Sequence, residues 1–120
     1  MDSGALYLIV SLSIVADIVL YGVVARAATG KVGPNAWAGI RTRTTRKNDK
    51  TWLAAHVVAY PIMRDTAIAN GVLMIVALFV PLQLRVPLIS LALGVLVVGV
   101  LFAGVQGQKA AKAADSASSK

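Results

Sequence analysis

Three apolar runs, each about as long as a bilayer is thick, restrict this chain more than anything else in it. Ala5 to Ala25 is 21 residues, Ile62 to Val80 is the second run, and Val86 to Val105 is 20 residues. A membrane helix needs about 20 such residues. Hydrocarbon offers no water to bond, so each run must satisfy its own backbone, and a helix does so. Charged residues are only 14% of the 120, against 58% hydrophobic. A soluble domain carries about a quarter charged residues. The predicted fold is an all-α integral membrane protein with three transmembrane helices.

The polar segments orient it. Residues 1–4 carry no basic run, so 5–25 is predicted to be a retained helix and not a cleaved signal. The loop 26–50 holds Arg26, Lys31, Arg41, Arg43, Arg46, Lys47 and Lys50 against Asp49 alone. Such a loop beside a span belongs on the cytoplasmic side. The N-terminus then lies outside, and residues 81–85 form an external turn with one charge, Arg85. The 106–120 tail, rich in Ala and Ser with Lys109, Lys112 and Lys120, is expected to be cytoplasmic and disordered. Asn48 or Asp49 caps a helix that places Trp52, Leu53, His56, Val57 and Tyr60 on one face. Residues 51–61 are expected to lie in the headgroup layer, interrupted at Pro61 before the 62–80 span. The alternative is one long helix kinked at Pro61.

Asp17, Arg64 and Asn70 are the candidate polar residues inside the spans, since Ser11 and Ser13 can bond back to carbonyls one turn earlier. Asp17 is costly near a bilayer centre, so it faces a bundle interior, pairs, or stays protonated. It reads either as a proton or ligand site or as a hydrogen-bonding anchor between helices. Arg64 is a candidate partner if the first two helices are antiparallel, and Asn70 lies deeper. Small residues at Ala67 and Gly71, at Gly99, Ala103 and Gly107, and at Ser90 and Gly94 suit close helix packing.

Catalytic signatures are missing. The chain has no cysteine and one histidine, so a multi-histidine or thiolate metal site is excluded within one chain. No carboxylates stand at short spacing for acid–base work. Gly30-Lys31-Val32-Gly33 lacks the spacing of a phosphate loop, and no nucleic-acid motif accompanies the basic residues. The expectation is a non-enzyme without cofactor, metal or nucleic-acid partner.

The segment Pro34 to Thr45 is the informative one. Its charges read as a solvated cytoplasmic face, or as an anion or partner site. Arg41 and Arg43 alternate with Thr42, Thr44 and Thr45, and guanidinium forks with hydroxyls suit phosphate or carboxylate oxygens. Asn35, Gly39, Ile40, Arg41, Thr42, Thr45, Asn48, Trp52 and His56, in that order, resemble the motif of the SdpI family of bacterial membrane proteins. The resemblance covers roughly Leu20 to Val80. It implies a bacterial inner-membrane protein. It also implies immunity or signalling, since the family's namesake protects a producer cell from a secreted toxic peptide and captures a repressor at the membrane. That namesake has more spans, and this chain looks like a shorter version with one helix added to the motif region.

Three readings of function follow. The first is SdpI-like immunity or signalling through the basic loop, with anionic lipid headgroups and a protein partner at the membrane or its cytoplasmic face. The second is a non-catalytic accessory subunit of a larger membrane complex. The third is a proton-coupled transporter using Asp17, which three helices achieve only as a homo-oligomer.

Overall fold

The computed structural model describes residues 2–118 and contains three helices, with no strand among the described residues. They are α1 (Ser3–Ala28), α2 (Asp49–Ala77) and α3 (Leu82–Ser118). They run up, down and up, in a body 58 Å long and about 20 Å across. The 37 residues of α3, at about 1.5 Å each, account for that length. Helix α2 lies in the middle and packs on both neighbours, while the backbones of α1 and α3 stay more than 8 Å apart. Side chains close the two ends. Leu6 and Val10 of α1 meet Met74 and Ala77 of α2 and Ile89 and Ala92 of α3 at one end. At the other, Val24, Ala59, Met63 and Ala103 meet.

Helices α1 and α3 are long and apolar enough to cross a membrane. Their outward faces carry Leu8, Leu12, Ile18, Val97, Leu101 and Phe102, all half exposed or more, which suits lipid better than water. Helix α2, with Arg64, Asp65 and Asn70 along it, is not among the helices that meet that measure.

Helix ends follow local chemistry. The Asp2 carboxylate accepts from the Ala5 N–H at 2.8 Å and starts α1. Gly30, at φ 77°, lets the chain turn off its C-terminus. Asn48 and Thr51 cap α2 reciprocally: Thr51 N donates to Asn48 Oδ1 at 2.9 Å, and Asn48 N donates to Thr51 Oγ1 at 3.2 Å.

Several expected boundaries are corrected. Helix α1 runs beyond 5–25 at both ends. The 51–61 interfacial helix and the 62–80 span are one helix, Asp49–Ala77, continuous through Pro61. Pro61 is on an exposed face, so its ring meets no neighbouring helix, and the cost is the missing N–H bond and the crowding of the Val57 carbonyl one turn earlier. The turn expected at 81–85 is displaced to 78–81, because Leu82 already begins α3. The tail expected to be disordered continues α3 to Ser118. Alanine is the best helix former, and Ala111 extends the Gly99, Ala103, Gly107 stripe by one more turn, with Gly107 buried and Ala111 fully so. Met1, Ser119 and Lys120, the remainder of the expected terminal segments, lie outside the described residues.

That stripe is the α3 face against α2. A Cβ on Gly99 would strike Thr66, and one on Gly107 would stand 3.1 Å from the Ala55 carbonyl oxygen. The Ser90 and Gly94 pair does not pack within the chain: Ser90 is exposed and Gly94 has open space beside it.

Candidate functional site

The motif segment between α1 and α2 is folded down over one end of the bundle as a cap. Its first anchor is Asn35, whose Oδ1 accepts from the N–H groups of Trp37 and Ala38, both at 2.8 Å, while its Nδ2 donates to Gly33 O at 2.9 Å. This is a side chain taking the place of backbone in a turn. The second anchor is the face of α2. Trp52 and His56 stand one turn apart with ring centroids 4.2 Å apart. Trp52 Nε1 donates to Val32 O at 2.8 Å. Gly39 lies across both rings at φ 106°, and a Cβ there would be 2.7 Å from the indole and 2.8 Å from His56 Nε2. Only glycine satisfies both the backbone angle and the space.

His56 is fully buried, and both its ring nitrogens are engaged. Nδ1 lies 2.8 Å from the Trp52 carbonyl, and Nε2 accepts the Ile40 N–H at 2.9 Å. A carbonyl can only accept, so the hydrogen is on Nδ1 and the ring is neutral. Burial pushes the His56 pKa below its ordinary 6.5, against the opposing pull of the Trp52 carbonyl. The sign of the pH effect follows. The undocked ring takes up a proton first as pH falls below about 6.5, so the docked cap loses stability below that pH and is insensitive above it. Amide exchange at Ile40, corrected for its intrinsic pH dependence, is expected to stay flat above pH 6.5 and to accelerate below it.

The third anchor is a knot of threonines. Thr45 is fully buried. Its Oγ1 donates to Ile40 O at 2.6 Å and accepts from Thr42 N at 2.8 Å. Thr45 N donates to Thr42 Oγ1 at 3.1 Å, and the Thr42 hydroxyl donates to Gln108 Oε1 on α3. Thr51 Oγ1 reaches Thr45 O at 3.3 Å. The hydroxyls expected to help hold an anion are therefore engaged in holding the loop. Lys47 Nζ sits 2.7 Å from Asp115 Oδ1, a second tie to α3. It is half exposed, and such pairs contribute at most about 1 kcal/mol.

The guanidiniums divide. Arg41 donates to Ala36 O within the loop. Arg43 and Arg46 are exposed and, with Pro34 and Asn35, line a shallow open depression. Trp37 is 88% exposed. The cap thus brings together nearly every motif residue and leaves Trp37, Arg41, Arg43 and Arg46 exposed, Trp37 and Arg41 beside an apolar groove walled by Val19, Val23 and Val100, and Arg43 and Arg46 at the depression. Among the described residues no group of three or more His, Cys, Asp or Glu side chains is placed to hold a metal ion.

Of the polar residues expected inside the spans, two form a separate cluster. Asp17 and Asn70 meet across α1 and α2. Arg64 does not join them: its Nε lies 3.1 Å from Asp65 Oδ1. No motif in the sequence singles out Tyr21 or Gln108, or a role for Ser13 or Tyr60 in contacts between helices. Ser13 stands one helical turn before Asp17, a spacing that signals a shared face. Tyr21 and Tyr60 join hydroxyls at 2.9 Å, and Gln108, beside the glycine stripe and not on it, had no periodic signal.

Comparison with known proteins gives a family model, described as the SdpI/YfhL protein family, that matches residues 31–105. The match starts later than the resemblance over Leu20 to Val80 and takes in α3 to Val105. The matched region thus takes in the first part of the third helix, to residue 105, and none of α1. No curated protein and no solved structure shows a significant match.

Proposed function

The chain belongs to the SdpI/YfhL protein family, and from that premise we propose that it is a three-span bacterial inner-membrane protein that works by binding, not by catalysis. Its cap would face the cytoplasm, with the N-terminus outside, and would present Trp37, Arg43 and Arg46 to an acidic surface of a protein partner. Anionic headgroups would surround the same rim. The signalling or immunity reading of the family fits this arrangement, with a partner held at the membrane by the cap.

The observation that carries the proposal is the division of the motif. Asn35, Gly39, Thr42, Thr45, Asn48, Trp52 and His56 are engaged in holding one loop conformation, while Arg41, Arg43, Arg46 and Trp37 are exposed. Fixing a loop this thoroughly suits recognition, because a rigid loop loses little entropy on binding. Arg43→Glu combined with Arg46→Glu is expected to abolish partner capture from native membranes while leaving the unfolding temperature unchanged. Undiminished capture by that variant would refute the proposal.

A second reading, an accessory subunit of a larger membrane complex, is favoured by one observation: the Ser90 and Gly94 side of α3 is small, smooth and uncovered. Gentle extraction followed by sizing separates the two readings, since a stoichiometric membrane assembly would support the second.

A further inference from the structure

Away from the cap, three polar side chains meet in an otherwise apolar interface between α1 and α2. Asn70 is fully buried, and its Nδ2 donates to Ser13 Oγ and to Asp17 Oδ2, each at 2.8 Å. Both amide hydrogens are thereby engaged. Asp17 and Ser13 are each 6% exposed. Two acceptors are left without a donor: Asp17 Oδ1 and Asn70 Oδ1. Buried polar groups in folded proteins are nearly always paired, so two orphans on bonded partners call for an explanation.

The chemistry of the pair supplies one. A carboxyl and a carboxamide joined by one N–H···O bond have complementary remaining atoms as soon as the carboxyl carries a hydrogen. Its O–H can then donate to the amide carbonyl, closing a ring of two hydrogen bonds. A single proton thus satisfies both orphaned oxygens.

We propose that Ser13, Asp17 and Asn70 form a proton-binding site within the membrane, in which Asp17 carries the proton on Oδ1 at neutral pH and donates it to Asn70 Oδ1. The step is simple protonation, a carboxylate and a proton giving the neutral acid. The surroundings agree. An ionised carboxylate in hydrocarbon is costly unless paired, and no cation is bonded to Asp17. Arg64 lines the same groove but is bonded to Asp65. Tyr21, the other titratable group on the groove wall, has its hydroxyl on Tyr60, and α3 contributes no residue to the lining. The groove beside Asp17 has a volume of about 370 Å³ and walls of Ile14, Ile18, Ile68 and Ile75, a low-dielectric setting that favours the neutral acid. When the proton leaves, a negative charge appears in a groove whose one lining cation is Arg64.

The test is infrared spectroscopy of the full-length protein in lipid bilayers at pH 7. All five acidic residues are aspartates. Asp2, Asp49 and Asp65 are exposed and Asp115 is ion-paired with Lys47, so Asp17 differs from the other four in being buried without a bonded cation. The wild type is expected to show one protonated-carboxyl band that Asp17→Asn removes. That variant keeps the shape and can donate from its own amide to Asn70 Oδ1, so its unfolding temperature is expected to be maintained. Asn70→Leu, where it folds, should move the band to the higher frequency of a carboxyl without that hydrogen bond. Absence of the band in the wild type, or its survival in Asp17→Asn, would overturn the proposal. A carboxylate signal lost with Asp17→Asn and altered by added octylammonium would overturn it in favour of an amine site.

Discussion

Gly39→Ala is expected to release the cap from the end of the bundle. Two penalties combine. The backbone angle of 106° is unfavourable for any residue with a Cβ, and that strain is worth roughly 1–2 kcal/mol. The new methyl would also lie 2.7 Å from the Trp52 ring and 2.8 Å from His56 Nε2, and forcing atoms into packed space costs roughly 1–3 kcal/mol. Both rings are buried and bonded, so neither can turn aside without breaking its bond to Val32 or Ile40. A total of about 2–5 kcal/mol corresponds to roughly 30- to 4,000-fold faster amide exchange at Ile40. Gly30→Ala is the control. It shares a positive φ, 77°, but has open space beside it, so it should show the strain without the collision. Equal effects at the two positions would mean that the ring stack does not hold the loop.

Gly99→Ala is expected to push α3 away from α2. The added carbon would overlap the Thr66 hydroxyl and methyl and lie 2.8 Å from its Cβ. Thr66 is itself held, its hydroxyl donating to Ile62 O at 2.7 Å, so the helices must separate. A loss of about 2–3 kcal/mol is expected, read as a lower unfolding temperature in bilayers. Gly94→Ala and Gly104→Ala meet nothing within 4 Å and should be neutral. Thr66→Ala should recover a large part of the Gly99→Ala loss, because the two residues share one space and their effects cannot add. Simple additivity in that double variant would dismiss the interlock.

Much of this was legible in the residues, and the failures have physical causes. Run length identified three helices, and the spacing of Gly99, Ala103 and Gly107 identified the α3 face that packs. Asn48 announced the start of α2, because a cap depends on neighbours three residues away. The glycine and the rings of the motif were legible as positions, but their mutual contact was not. At Pro61 the residues left an interruption and one long helix both open, and the structure takes the long helix, because proline is tolerable where its ring faces outward. The tail was misread because its composition resembles disorder, while Gly107 and Ala111 carry the packing stripe into it. Thr42 and Thr45 looked like anion ligands because hydroxyls beside guanidiniums suit both roles. Asp17 was matched with Arg64, the cation of the second apolar run, on the premise that the first two helices are antiparallel. Which polar residue on α2 stands opposite Asp17 depends on how far two antiparallel helices slide past each other, and no local pattern encodes that.

The single unbroken run of α3 also limits how the chain can change length over evolution. Its first turns seat Ile89 and Ala92 at one end, and its last turns hold Thr42 through Gln108 and Lys47 through Asp115 at the other. One inserted or deleted residue between those ends turns everything beyond it by about 100°, carrying Gln108 and Asp115 off the cap. Viable insertions and deletions are therefore confined to the 78–81 connection or the far terminus, or must come in compensating pairs.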